Sequence, residues 1–265
     1  MRTPPDAEIA APEFPAGLEW LNVAFLRMQT ELGRHAILIE FWDYARINSL
    51  RTQPYFRAWH ERYSRLGLRV IGVHSPGYSF GRDRAGVERA VERLGIEYAV
   101  ALDPDFEVWK LYGNQGWPAR YLFDRAGWLR FVHYGEGEYL ATELAIQELL
   151  LEIEPDLPLP APMGALRPED EPGVKMEPQT ADIALPADRE RLELVRDWVD
   201  GPDYIEAADA GAGAQVRSFR AGGAWAVLSG SVEAGLYEAA SGLVEAEDPG
   251  LRLHGFQFTP LAPGD

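Results

Sequence analysis

Between residues 152 and 186 the chain carries eight prolines, together with eight acidic and only two basic residues. Each proline fixes its φ angle and removes an amide donor, so neither a helix nor a sheet ladder runs easily through such a stretch. The segment is expected to be a semi-rigid acidic linker dividing the 265-residue chain into two regions, residues 1–151 and residues 187–265.

The first region alternates strand-like and helix-like segments. Ala36 to Trp42 is an apolar, branched run fit for a buried strand, broken only by Glu40. Tyr55, Phe56, Trp59 and Tyr63 then recur at helical spacing, which predicts a helix over about residues 48–65. Arg69 to Val73 reads as a second strand, and residues 83–94 as an amphipathic helix stopping before Gly95. Tyr98 to Leu102 is a third strand, and Asp103-Pro104 opens a short helix. Ala119 to Phe123 and Gly127 to Tyr134 read as a hairpin, and residues 138–151 as a closing helix. This order implies an α/β sandwich, a mixed sheet flanked by helices. The second region instead has short extended runs among many Gly and Ala residues, which suggests a small all-β sandwich.

Composition narrows the chemistry. The formal net charge of −17 repels phosphate backbones and anionic headgroups, so nucleic-acid and membrane-surface partners are not expected. There is no cysteine, which excludes disulfides, thiolate catalysis and thiolate metal sites. No apolar run approaches the roughly 20 residues that span a bilayer, and the first residues do not resemble a signal peptide, so a cytoplasmic location is expected. His35, His60, His74, His133 and His254 are scattered without ligand or triad spacing, and neither a metal site nor a cofactor is expected.

The segment Phe41-Trp42-Asp43-Tyr44-Ala45-Arg46-Ile47-Asn48-Ser49-Leu50-Arg51-Thr52-Gln53-Pro54-Tyr55 resembles the active-site segment of DipZ-type thiol:disulfide interchange proteins and their TlpA-like relatives. There the pattern runs Phe-Trp-Thr-Tyr-x-Cys-Ile-Asn-Cys-x-Arg-x-x-Pro-Tyr. Val70-Ile71-Gly72-Val73-His74, Tyr112-Gly113-Asn114-Gln115, Trp117-Pro118-Ala119 and Gly135-Glu136-Gly137 extend the likeness over roughly residues 11–151. Tyr204 to Ala207 and Gly250 to Thr259 are similar to the family's C-terminal β-sandwich, a module likened to carbohydrate-binding domains. The resemblance implies a thioredoxin-like (redoxin) fold, with Pro118 at the place of the family's cis-proline. It also implies a thiol–disulfide exchange in which the first cysteine attacks and the second resolves. Here those positions are Arg46 and Ser49. Neither a guanidinium nor an ordinary hydroxyl takes up two electrons reversibly, so the reaction cannot be inherited with the fold.

Several readings stay open for the old active-site positions. Arg46 either reaches solvent or Asp43, pairs with a buried acid, or joins Arg51 and the helix amides in seating an anion. Glu40 stands where thioredoxin-like proteins often keep a buried proton-relay carboxylate. It is either a structural group satisfied by hydrogen bonds or an Arg, or a surviving acid–base group. Ser49 is a nucleophile only with a base beside it. Trp117 either helps hold an extended partner or joins Trp42, Tyr44 and Phe80 in covering a degenerate site. Trp198, Tyr204, Trp225 and Tyr237 form either a sugar-stacking face or a small core.

The leading functional expectation is a redox-inactive thioredoxin-like protein that binds a protein or peptide or acts as a scaffold. The alternatives are a thiol–disulfide oxidoreductase or antioxidant, as the resemblance alone implies, and carbohydrate binding through the C-terminal region.

Overall fold

The computed structural model describes residues 9–261. They divide into two compact units. The first holds residues up to 43, 48–76 and 83–172; the second holds residues 44–47, 77–82 and those from 173 onward.

In the first unit the elements run β1 (Glu19–Leu21), α1 (Met28–Glu31), β2 (Ala36–Trp42), α2 (Ile47–Tyr63), β3 (Leu68–His74), α3 (Arg84–Leu94), β4 (Ala99–Leu102), α4 (Glu107–Leu111), β5 (Ala119–Phe123), β6 (Leu129–Tyr134) and α5 (Tyr139–Ile153). The sheet order is β1-β4-β3-β2-β5-β6. β3 lies parallel between β2 and β4, while the β1–β4, β2–β5 and β5–β6 pairs are antiparallel. Every residue of β2 is buried, as an apolar run in a strand covered on both faces requires. Alternation sends Ile37, Ile39 and Phe41 into one core with Ile71, Val73, Ala101 and Tyr121. Leu38, Glu40 and Trp42 therefore point to the opposite face of the sheet.

Local signals set the element ends. Asp83 caps α3 by accepting the Gly86 amide at 3.0 Å, and Gly95 closes it with φ +63°. In the β5–β6 hairpin, Asp124 Oδ1 accepts the Ala126 and Trp128 amides, and Gly127 takes the left-handed conformation with φ +88°. The edge strand β1 and the single-turn α1 carry no comparable signal: three and four residues are too short for a periodicity.

The second unit contains β7 (Ile183–Ala184), β8 (Leu192–Val195), β9 (Trp198–Asp200), β10 (Ile205–Ala207), β11 (Gly213–Val216), β12 (Gly223–Gly230), β13 (Gly235–Glu238), β14 (Leu243–Glu245) and β15 (Leu251–Thr259). One sheet has the order β13-β12-β15-β10-β9, with β7 also on β15; the other is β14-β11-β8. Their common core includes Leu192, Trp198, Ile205, Val216, Val244, Leu253, Phe256 and Phe258. The ladder between β12 and β15 shifts register after Val227, where Gly255 and then Leu253 are the successive partners, so His254 bulges out of it.

The stretch expected to be a semi-rigid linker, residues 152–186, is divided between the two units. Residues up to 172 cluster with the first unit, and those from 173 onward, including β7, with the second. The prolines confine regular structure to the single turn Pro168–Asp170 and the two-residue β7, and side chains of α2 and α5 supply partners for the backbone before them. Gln147 donates to the Pro160 carbonyl at 2.8 Å, and Arg62 donates to that of Ala161. Glu143 accepts the Met163 amide at 3.0 Å, and the Tyr55 hydroxyl accepts the Leu166 amide at 2.8 Å. Proline density limits helix and ladder to short pieces, and the stretch still packs against side chains. Among the described residues, no helix is long and apolar enough to cross a membrane.

Candidate functional site

The family-like motif falls where β2 ends and α2 begins. β2 terminates at Trp42, and Ile47 is the first residue of α2. Ser49 is fully buried in the first turn of the helix, and its Oγ accepts the Asp43 amide proton at 3.3 Å. The hydroxyl thus ties the end of the strand to the start of the helix. Asp43 is also buried and lies 3.5 Å from His74 Nε2, while the His74 ring packs edge-on to Trp42.

Glu40 is fully buried. Its Oε2 accepts from Gln53 Nε2 at 2.9 Å and lies 3.2 Å from the Tyr98 hydroxyl, which itself donates to Gln53 Oε1 at 2.7 Å. Among the described residues, Oε1 has no hydrogen-bond partner. Removal from water pushes the carboxyl up to about 8; the bonds from Gln53 and Tyr98 and the charge of Arg120 only partly offset this. Glu40 is therefore mostly neutral at pH 7. The Tyr98 hydroxyl is shared between Gln53 Oε1 and Glu40 Oε2, which closes a three-member ring.

Arg120 sits opposite Glu40 in the β2–β5 ladder but finds other partners. Its Nε donates to Thr142 Oγ1 at 2.8 Å, another guanidinium nitrogen donates to the Gly137 carbonyl, and the group lies over the Tyr139 ring. Burial lowers this guanidinium to about 10. Gly72, paired with Glu40 across β2 and β3, gives the cluster its room. A Cβ there would stand 3.0 Å from Trp42 Nε1 and 3.2 Å from Tyr98 Cε2. Of the readings for Glu40, the geometry is that of a hydrogen-bonded structural carboxyl rather than one paired with an Arg.

The Trp117–Pro118 peptide bond is cis. Trp117 is half-buried: its indole donates to the Ser75 carbonyl at 2.9 Å and its ring lies 4.4 Å from that of Trp109. Pro118 is buried, and its carbonyl accepts the Gly135 amide at 2.7 Å. Asp103 organises this neighbourhood by accepting the Ser75 hydroxyl at 2.8 Å and the Val108 and Trp109 amides at 3.0 Å each.

The two arginines of the anion-seat reading, Arg46 and Arg51, have different partners. Arg51 donates to Glu136 at 2.8 Å and to Glu169 at 3.0 Å. Arg167 adds a bidentate bond to Asp170, and Tyr55 donates to the same carboxylate at 2.7 Å. Arg51 therefore holds residues 167–170 on α2, and its charge is already matched by carboxylates. Arg46 lies in the second unit with its guanidinium 5.1 Å from the centre of the Tyr78 ring. Partial desolvation raises the Asp182 carboxyl, and the Arg46 charge is among the effects that offset this.

Within that second unit, β15 reaches the motif loop. Phe256 and Phe258 point into the sandwich core, so alternation turns Gln257 to the other face of the sheet. Its Oε1 accepts the Ile47 amide at 2.7 Å, and its Nε2 donates to the Ala45 carbonyl at 2.7 Å and to the Tyr78 hydroxyl at 3.1 Å. Tyr44 packs on Phe80, and Phe80 and Tyr78 both pack edge-on to His254. The amide that would open an anion seat is thus already bonded to a side chain 210 residues away in sequence. No local pattern signals this partner.

His254 was expected to lack triad-like neighbours, and the fold brings two to it. Nδ1 lies 2.8 Å from the Asp203 carbonyl and so donates to it, which leaves Nε2 to accept the Ser229 hydroxyl at 2.8 Å. Both side chains are buried, and Tyr204, Tyr78 and Phe80 pack around the imidazole. Burial lowers its proton affinity. The arrangement is that of a satisfied interior pair. Of the two readings for the aromatic residues of this region, a sugar-stacking face finds no platform shared by Trp198, Trp225 and Tyr237. Trp198 is in the core, while Trp225 pairs with Glu238 and Tyr237 with Ala226, placing those two rings on opposite faces of the sheet.

No family model matches the chain. Protein DipZ of Mycobacterium bovis is 36% identical over 173 residues, covering 64% of this chain and 25% of that protein. Thiol-disulfide oxidoreductase YkuV of Bacillus subtilis is 26% identical over 143 residues, 54% of this chain and 95% of that one. The solution structure of a thioredoxin-like protein in the oxidised form superposes with a TM-score of 0.50 at 23% identity, covering 55% of this chain and 97% of that one. The sheet order, the α2 start and these likenesses define a thioredoxin-fold protein. More particularly, the chain is homologous to DipZ and to the thiol-disulfide oxidoreductase YkuV, it contains no cysteine, and it carries a further all-β region. It spans about a quarter of the length of the first curated relatives it matches.

Proposed function

We propose that this chain is a redox-inactive thioredoxin-fold protein that holds an extended peptide or protein segment, or serves as a scaffold for one. The observation that carries the reading is the pair of substitutions at the motif. Arg46 and Ser49 stand where the relatives' pattern has cysteines, and none of the 265 residues is a cysteine. Disulfide exchange needs a thiolate to attack and a second thiol to release the mixed disulfide. Ser49 is committed to the Asp43 amide and Arg46 lies over a tyrosine ring. A half-buried tryptophan beside the cis-proline supports the binding half of the reading, since aromatic faces give an extended partner contact area.

The test is insulin reduction with dithiothreitol as the electron donor. The protein should leave the precipitation rate at the uncatalysed level. Turnover proportional to protein concentration would instead favour a thiol–disulfide oxidoreductase working with a thiol from another molecule. Carbohydrate binding through residues 187–265 draws on their aromatic residues, whose dispersal over both faces leaves that reading without a stacking platform.

A further inference from the structure

We infer that Gln257 is a built-in occupant of the motif loop, filling with one side-chain amide the backbone bridge that an extended partner would make at Arg46. The inference rests on the peptide-binding reading above and supplies a competitor for it: a residue of the same unit of the same chain.

The geometry carries the argument. When an extended strand pairs in parallel with a residue i, one residue of the strand makes both bonds. Its N–H donates to the carbonyl of i−1, and its C=O accepts from the amide of i+1. At Arg46 those groups are the Ala45 carbonyl and the Ile47 amide. Gln257 Nε2 donates to the first at 2.7 Å and Oε1 accepts from the second at 2.7 Å. The side-chain amide thus reproduces the donor–acceptor pair of a bridging peptide residue. Its orientation is forced, because only oxygen can accept the Ile47 proton and only nitrogen can donate to a carbonyl.

The remaining polar capacity is also used. Nε2 has a second donor contact with the Tyr78 hydroxyl at 3.1 Å, and Tyr78 is the ring beneath Arg46. Gln257 is buried, and its neighbours Phe256 and Phe258 are anchored in the sandwich core, so the amide is presented from a rigid strand. A glutamine aimed away from the core it flanks, bonded to two backbone groups around one residue, is more than a means of burying an amide. It occupies the two backbone groups at which a parallel strand would pair with Arg46. The residue so bracketed occupies the position of the relatives' first cysteine.

Two measurements on the full chain test this. Hydrogen exchange of the Ile47 amide should be at least tenfold slower in the wild type than in Gln257→Ala. S-carboxymethylated insulin B chain, an extended peptide without thiols, should bind Gln257→Ala at least tenfold more tightly than the wild type. Gln257→Glu keeps the acceptor for Ile47 but loses the donor to Ala45. It should retain Ile47 protection while binding the peptide with intermediate affinity, and it replaces the alanine variant if that one does not fold. Equal binding by variant and wild type, no binding by either, or an Ile47 amide that exchanges equally fast in both would overturn the inference. Failure of the redox-inactive reading would show separately, as insulin turnover by the wild type.

Discussion

Replacing Glu40 by Gln should flatten a pH dependence of stability that the wild-type chain owes to this one carboxyl. The folded chain holds the proton up to about pH 8, whereas the same carboxyl in an unfolded chain releases it near its ordinary value of 4.5. Between those values the folded state binds more protons than the unfolded one, so the contribution of Glu40 is full below pH 4.5 and is lost as pH rises through 8. Each pKa unit corresponds to about 1.4 kcal/mol, so the loss between pH 5 and pH 8 is about 4 kcal/mol as a ceiling. Other groups titrate in the same interval. Burial and the nearby Arg120 charge hold His133 at about 4, which makes its contribution grow as pH rises toward 6.5. Such contributions are common to both proteins and cancel in the difference. The assay is urea denaturation of wild type and Glu40→Gln from pH 5 to pH 9. The wild type should lose stability relative to the variant by several kcal/mol across that range, with the change levelling off as pH approaches 9. A difference that stays flat, or that grows in favour of the wild type with rising pH, would refute the assignment of a buried neutral carboxyl bonded to Gln53 and Tyr98.

Three further outcomes follow from the same geometry. Arg46→Cys combined with Ser49→Cys should create a reducible pair at the start of α2, read as two titratable thiols that vanish on oxidation; thiols that both survive oxidation would contradict the placement of the motif. Arg51→Ala removes the partner of Glu136 and Glu169 and should cost about 1–3 kcal/mol in chemical denaturation, the usual penalty for orphaning a charged hydrogen bond. The same variant should open residues 155–172 to limited proteolysis, and an unchanged cleavage pattern would show that other contacts hold this segment.

Parts of this protein are legible without coordinates. The run from Ala36 to Trp42 is apolar over a length that only a doubly covered strand accommodates, and β2 has those bounds. Asp83 and Gly95 bracket α3 because capping and left-handed closure are properties of those residue types. The absence of cysteine is a matter of composition, and no arrangement of these 265 residues supplies a thiol nucleophile. Tertiary structure decided what each side chain meets. Gln53 and Tyr98 converge on Glu40 because α2 packs over β2 in a sheet where β4 lies two strands away. The proline-rich stretch lies against α2 and α5 because their polar side chains replace the backbone partners that proline denies it. Gln257 meets Ala45 and Ile47 across more than two hundred residues. Periodicity and caps are short-range properties of the chain, whereas such pairings depend on which face of which strand is turned toward a distant loop, and only the folded chain determines that.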